Sequence, residues 1–254
     1  MVSDTGEPDE PVRVIVLNDR PESANSLTFG VMAELQAAVE SAGDRAILLL
    51  AKGKSFCSGL DRFDVLKAIV TEESCERPLE RLLALYSTIL RYEPLTVCVV
   101  QGEAVGGGVG LAACFDCVFA LPEAVMTIPF GAYVPLARVL IPVLNLRRVR
   151  FGFQDTDDWI GKSLPAGEAQ GRQLVNEIIH RDELNDADAP RELTRRARRN
   201  ARPIDPVALA RCESGFEQAK EAALKAEVGF AIGVGLIHNI LGSLIHGLNP
   251  DRGK

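Results

Sequence analysis

The run Ala46–Ala51, AILLLA, is apolar at every position, and Leu95–Gln101, LTVCVVQ, is nearly so. A strand with one face in water alternates between apolar and polar residues. A short run that does not alternate is covered on both faces, which is the situation of a strand in a parallel sheet flanked by helices. Upstream of Ala46, the β-branched run Val12–Leu17 (VRVIVL) gives way to the turn-like Asn18-Asp19-Arg20-Pro21. A periodic stretch, Leu27–Val39, follows with Ser26 placed to cap it as a helix. The chain therefore opens as strand, helix, strand.

Further along, Phe63–Arg91 reads as largely helical with a break around Ser74–Pro78. Cys117–Leu121 is another candidate strand, and Val125–Ile128 extends a neighbouring one. From Val134 onward helical patterns dominate, broken at Pro165 and at Pro203–Pro206, and the polar segment Asp182–Pro190 reads as a loop. With 254 residues, 47% of them hydrophobic, one large α/β domain is expected: a βα-rich front half and a helical tail.

The net charge of −7 argues against a nucleic-acid partner, which wants a basic footprint. The local exception is the arginine run from Arg191 to Arg202, read as a solvated face or as contact with a phosphorylated ligand or carrier. Cys57, Cys75, Cys98, Cys114, Cys117 and Cys212 are scattered, and Met1–Pro11 is acidic with no apolar core of a signal peptide. Thiols in a reducing cytoplasm are expected. Cys114-Phe-Asp-Cys117 has no second ligand pair and sits in a small-residue stretch, so it reads as packing. Val228–Leu248 has a membrane span's length but holds His238, Asn239, His246 and several glycines, which fits a core or subunit interface better than lipid.

Two glycine-containing loops each follow an apolar strand, at Gly59 and at Gly106–Gly108. Glycine lets backbone N–H groups point away from the strand ladder and lets a ligand approach the main chain, so two such loops side by side can hold one anionic oxygen. The consecutive glycines do not have the spacing of a dinucleotide fingerprint, and no P-loop lysine follows them.

Four collinear segments resemble the enoyl-CoA hydratase/isomerase (crotonase) superfamily: VIVLNDRPESANSLT, FCSGLD, VQGEAVGGGVGLAACFDCVFA and LPAGEAQGRQLVNEII. The resemblance implies a crotonase-like spiral of ββα units over residues 1–190. It implies a helical C-terminal region over 191–254 that serves trimerisation or lids the pocket, in a homotrimer or hexamer. It further implies that the N–H groups of Leu60 and Gly107 form an oxyanion hole for an acyl-CoA or acyl-carrier-protein thioester, with Ser58, Gly59, Asp61, Gly106 and Gly108 around it. No metal or separate cofactor is implied; CoA or phosphopantetheine arrives as part of the substrate. The stretch FGAYVPLARVLIPVLNLRR also looks like polyketide-pathway relatives that act in β-branching.

Two departures stand against the resemblance. Beside the substrate, where hydratases of the family carry their two glutamates, this chain has Gly110 and Phe130. Neither can transfer a proton. If the chain is catalytic, the candidates for that step are Tyr133, His238, Lys67 and Tyr86, with Asp61 and Asp64 following the first loop. Each also has a plain reading: Asp61 as a helix cap, Lys67 as a solvated residue, Tyr86 as a core aromatic, His238 as a packed histidine. Arg138 stands where some isomerases of the family carry a carboxylate, and a cation there could pair with a substrate carboxylate. An enolate-forming enzyme and a non-catalytic thioester-binding or assembly subunit are the two readings left open.

Overall fold

The computed structural model describes residues 2–5, 10–17, 24–61, 63–64, 78–129, 134–151 and 161–221. Ten strands appear there: β1 Val2–Thr5, β2 Val12–Leu17, β3 Ala46–Ala51, β4 Ser55–Cys57, β5 Thr96–Val100, β6 Glu103–Val105, β7 Cys117–Ala120, β8 Val125–Thr127, β9 Ser163–Pro165 and β10 Glu177–Ile178. The helices are α1 Phe29–Glu40, α2 Pro78–Leu90, α3 Gly107–Ala113, α4 Val134–Phe151, α5 Ala166–Gly171, α6 Ala189–Asn200 and a last one, α7, over 206–221.

The strands form two sheets, one ordered β1-β2-β3-β5-β7-β10 and the other β4-β6-β8-β9. In the large sheet every pair is parallel except β1 on β2; in the small one β4, β6 and β8 are parallel and β9 is antiparallel. The chain alternates between them. A large-sheet strand is followed by a small-sheet strand and then a helix, as in β5-β6-α3 and β7-β8-α4, so the expected spiral of ββα units is present.

Residue alternation explains why the long runs are apolar throughout. Ile47, Leu49, Cys98, Val100, Val118 and Ala120 face the main core shared with α1 to α4 and the small sheet. Their neighbours Ala46, Leu48, Val97, Val99, Cys117 and Phe119 face a second core closed by Leu193 and Ala197 of α6. Burying both faces of these strands is what permits a parallel sheet here.

Some expectations hold and others need correction. The helix cap is Thr28, whose hydroxyl accepts from Val31 N at 3.2 Å, and Ser26 instead donates to Asp61. Helices dominate after Val134 as expected, and β9 and β10 complete the two sheets there. Asp182–Pro190 is not a plain loop: a 3₁₀ turn covers Arg181–Leu184 and α6 begins at Ala189. The arginine run forms the solvated face expected of it, with Arg195, Arg198 and Arg199 exposed, and several of its members also pair within the chain. Arg196 pairs with Glu177 and Glu183, and Glu10 faces Arg191, Arg195 and Arg198 at 3.7–3.9 Å. Among the described residues no helix is long and apolar enough to cross a membrane; Val228–Leu248 lies outside them.

Cys57, Cys98, Cys114, Cys117 and Cys212 are free thiols and buried. Burial raises Cys57, Cys117 and Cys212 from an ordinary 9.0 to about 12. The unfolded chain therefore releases thiol protons that the native chain retains, and stability falls as pH rises from 9 toward 12. The expected loss is about 1 kcal/mol per thiol for each pH unit above the unfolded value. Urea midpoints that stay level between pH 9 and 10.5 would refute this, as would fast native-state reaction of more than one thiol with a thiol reagent at pH 8, Cys75 being outside the described residues.

Candidate functional site

Strand β4 runs into Ser58-Gly59-Leu60-Asp61, and its neighbour β6 runs into Gly106 and α3. Both glycine loops thus leave the same edge of the small sheet side by side. Gly59 has φ +86 and Gly106 φ +50, a left-handed backbone that turns each chain out of its strand. A Cβ on Gly59 would lie 2.7 Å from Val105 O and 3.2 Å from Gly107 N, so only glycine lets the loops come this close.

Each loop is held through its carbonyl. Gly59 O accepts from Leu27 N at 2.7 Å, and Leu27 O in turn accepts from Asp61 N at 3.2 Å. That isolated parallel bridge flanks Leu60 and leaves its own N–H on the far side, with no protein acceptor among the described residues. Gly106 O accepts from Val109 N at 2.9 Å and Gly110 N at 3.1 Å, closing the first turn of α3. The Gly107 N–H, on the other end of that peptide, is one of the donors a helix start leaves over, and it too has no acceptor among the described residues. Two fixed donors on abutting loops can hold one oxygen bearing negative charge.

The neighbouring candidates are mostly occupied. Asp61 receives Ser26 Oγ at 2.8 Å, Phe63 N at 2.9 Å and Asp64 N at 3.1 Å, which makes it a cap and a tie between segments. Asp64 accepts from Phe29 N at 2.7 Å and so secures the start of α1. Ser58 N donates to Ala24 O at 3.1 Å. Tyr86 is fully buried, its hydroxyl donates to Gly107 O at 2.6 Å, and burial pushes its pKa well above the ordinary 10. It is a lasting hydrogen-bond donor. Its position as a proton-transfer group gains nothing from this geometry, since the proton is spent on the backbone.

Gly108 and Gly110 meet protein on the side a Cβ would take. At Gly108 a Cβ would overlap Cys57 O and lie 2.9 Å from Cys57 Cβ, so this glycine seats α3 against β4. At Gly110 it would overlap the Tyr86 hydroxyl and lie 2.6 Å from Leu140 Cδ2. Sequence reasoning placed both beside the substrate; packing against β4, α2 and α4 explains them without a ligand. Lys67, Phe130, Tyr133 and His238 lie outside the described residues, as does the side chain of Arg138 in α4. The segment Ala24–Thr28, which grips the first loop, is the end of the first segment that resembles the family, VIVLNDRPESANSLT, but nothing in its sequence pointed to contact with that loop.

The match to the family model "Enoyl-CoA hydratase/isomerase" runs over residues 7–231. A Thermus thermophilus protein named as an enoyl-CoA hydratase is 31% identical over 175 residues, 66% of this chain and 67% of that protein. An enoyl-CoA isomerase/hydratase of Penicillium crustosum is 29% identical over 70% of this chain but only 21% of its own length. The match thus spans about two thirds or less of these relatives. The solved enoyl-CoA hydratase of Bacillus anthracis shares the fold with a TM-score of 0.63 at 23% identity, over 88% of this chain and 89% of that one. An enoyl-CoA hydratase/isomerase of Marinobacter aquaeolei does so with a TM-score of 0.61 at 21% identity, over 97% of this chain and 90% of that one. With the ββα spiral, the paired glycine loops and a family match over nearly the whole chain, the protein belongs to the enoyl-CoA hydratase/isomerase family.

Proposed function

We propose that the chain binds an acyl thioester, carried on CoA or on a carrier protein, with its carbonyl oxygen between the N–H groups of Leu60 and Gly107. The observation that carries this reading is the pair of abutting loops whose two donors lack a protein acceptor among the described residues. Donors already fixed by the Gly59 and Gly106 carbonyl bonds need no reorganisation when charge develops, which is where such stabilisation is largest.

The reaction class follows from what is missing. Gly110 supplies no carboxylate and has no room for one while Tyr86 is in place. Hydration or dehydration needs a positioned acid and base. Decarboxylation needs neither to start: the bond to the carboxylate carbon breaks, its electron pair moves into the enolate, CO2 leaves, and one proton is then added to carbon. A lyase or isomerase that forms an oxyanion-held enolate is the reading supported best, with Tyr133, His238 or Lys67 as the group that delivers the proton and Arg138 as a partner for a substrate carboxylate. The active unit would be a homotrimer or hexamer in the cytoplasm, with no cofactor beyond the thioester's own carrier. A second reading, a thioester-binding or assembly subunit without turnover, is favoured by the closed packing at Gly110.

Mass spectrometry on crotonyl, 3-hydroxybutyryl, 3-hydroxy-3-methylglutaryl and 3-methylglutaconyl thioesters, each on CoA and on a carrier protein, tests both. Gain or loss of one water or one CO2 is expected of a lyase, and of an isomerase uptake of one deuterium from heavy water into the thioester. Binding without any mass change would leave the non-catalytic reading standing, and absence of binding to every thioester would overturn the site.

A further inference from the structure

The segment Ala24–Thr28 has no chemistry of its own, yet it is held in an unusual way. Ala24 and Asn25 both have left-handed backbones, φ +49 and +56, consecutively and without a glycine. Such strain persists only where the surroundings impose it, and it clusters at functional sites. Asn25 is 3% exposed. Its Nδ2 donates to Lys52 O at 2.9 Å and to Ser55 O at 2.8 Å, which fixes the orientation of the amide, because a flipped amide would set its oxygen against two carbonyls. The consequence is that Asn25 Oδ1 is buried without a partner. Gln101 repeats the pattern from the other side: Nε2 donates to Ser55 O at 2.9 Å and Oε1 is likewise unpartnered.

Two amides therefore leave a buried acceptor unmet in order to hold one carbonyl at the start of β4. The same segment then grips the loop that β4 feeds. Ser58 N donates to Ala24 O, Leu27 N to Gly59 O, Asp61 N to Leu27 O, and Ser26 Oγ to Asp61 Oδ2. Every residue of the loop except Leu60 is tied to residues 24–27 through a backbone or side-chain bond, and Leu60 is the one whose N–H stays available.

We infer that Ala24–Thr28, anchored by Asn25, is the positioning element of the first oxyanion donor: its strain and unmet acceptor are the cost of setting the Leu60 N–H. This rests on Leu60 and Gly107 being the donors, and the experiment separates the two claims. The carbonyl stretch of bound butyryl-CoA, labelled with heavy carbon at the carbonyl and unable to lose water or CO2, is read by infrared difference spectroscopy. This frequency reports the field at the oxygen, which a merely structural role would leave unchanged in a folded protein. Asn25→Gly permits the left-handed backbone, removes the amide with its methylene and adds backbone freedom. It is expected to lose about half or more of the downshift seen in the unaltered chain, whereas Ala24→Gly, which adds the same backbone freedom and keeps the amide, retains it. A full downshift in Asn25→Gly, or an equal loss in Ala24→Gly, overturns the inference. No downshift in the unaltered chain overturns the donor pair and the inference with it. If Asn25→Gly does not fold, Ser26→Ala, which cuts the tie to Asp61, is judged by the same two outcomes.

Discussion

Gly110→Glu is expected to unfold the chain, not to give it a hydratase's carboxylate. Gly110 lies in α3 with Tyr86 and Leu140 filling the place of any side chain: a Cβ would overlap the Tyr86 hydroxyl and stand 2.8 Å from Tyr86 Cζ. Neither neighbour is the loose end of a flexible side chain. Tyr86 is held by its bond to Gly107 O and packs on Phe216 with ring centroids 6.4 Å apart, and Leu140 is buried in α4. Overpacking of this kind costs about 1–3 kcal/mol, and an unpaired buried carboxylate adds several more. Against a total stability of about 5–15 kcal/mol, the expected result is a melting temperature lower by roughly 10 °C or insoluble protein. Combining Gly110→Glu with Tyr86→Ala removes the ring that blocks the position and should recover part of the loss. A thermal melt of the single variant within about 2 °C of the unaltered chain, roughly 1 kcal/mol at this length, would refute the packing argument.

The long strands were legible because a sheet covered on both faces leaves an unbroken apolar run, as at Ala46–Ala51. The strands of the small sheet were not. Ser55–Cys57, Glu103–Val105 and Ser163–Pro165 are three residues each, too short to show a period, and they form because the large sheet and the helices bring them together. Strand β1 was hidden for another reason: it is exposed along its length, VSDT, and one tie holding it to β2 is Arg13 on Asp4 at 2.7 Å. Glu177–Ile178 joins the large sheet by pairing with β7, a long-range contact that local pattern does not encode.

At the site, the positions of Gly59 and Gly106 followed from sequence, because positive φ next to a strand end demands glycine. What surrounds them did not follow. Asp61 and Tyr86 looked like candidates for proton transfer, and their bonds to Ser26 and to Gly107 O depend on α1, α2 and the glycine loops meeting in space. Asn25 lies in the first segment that resembles the family, but its role as an anchor depends on Lys52 O and Ser55 O, which only the tertiary structure brings to it.

Arg147 and Arg148 close the stretch FGAYVPLARVLIPVLNLRR, where nothing in the sequence marked Arg147 for burial, yet Arg147 is 1% exposed in α4. Its Nη1 donates to Phe115 O at 2.9 Å, Nε to Gln173 O at 3.2 Å and Nη2 to Asn176 Oδ1 at 2.6 Å, and its guanidinium stacks 4.7 Å from the Phe151 ring centroid. Among the described residues no carboxylate forms an ion pair with it; Asp116 is taken by Arg150 at 2.6 Å. Burial lowers its pKa to about 10, so it remains charged at neutral pH. A planar fork that reaches three acceptors on two separate turns is a property of arginine alone. Arg147→Ala would leave those acceptors unmet and a cavity beneath α4, at a cost of about 3–5 kcal/mol. Arg147→Lys keeps the charge but cannot span all three, and should lose about 1–3 kcal/mol. Arg147→Met decides the physical cause, because it removes the charge and roughly keeps the volume. If the hydrogen bonds dominate, the methionine variant melts well below the lysine variant. If desolvation of an unpaired cation dominates, methionine matches or exceeds the unaltered chain, and the reading of Arg147 as a clamp between α4 and the turns before β7 and β10 is wrong.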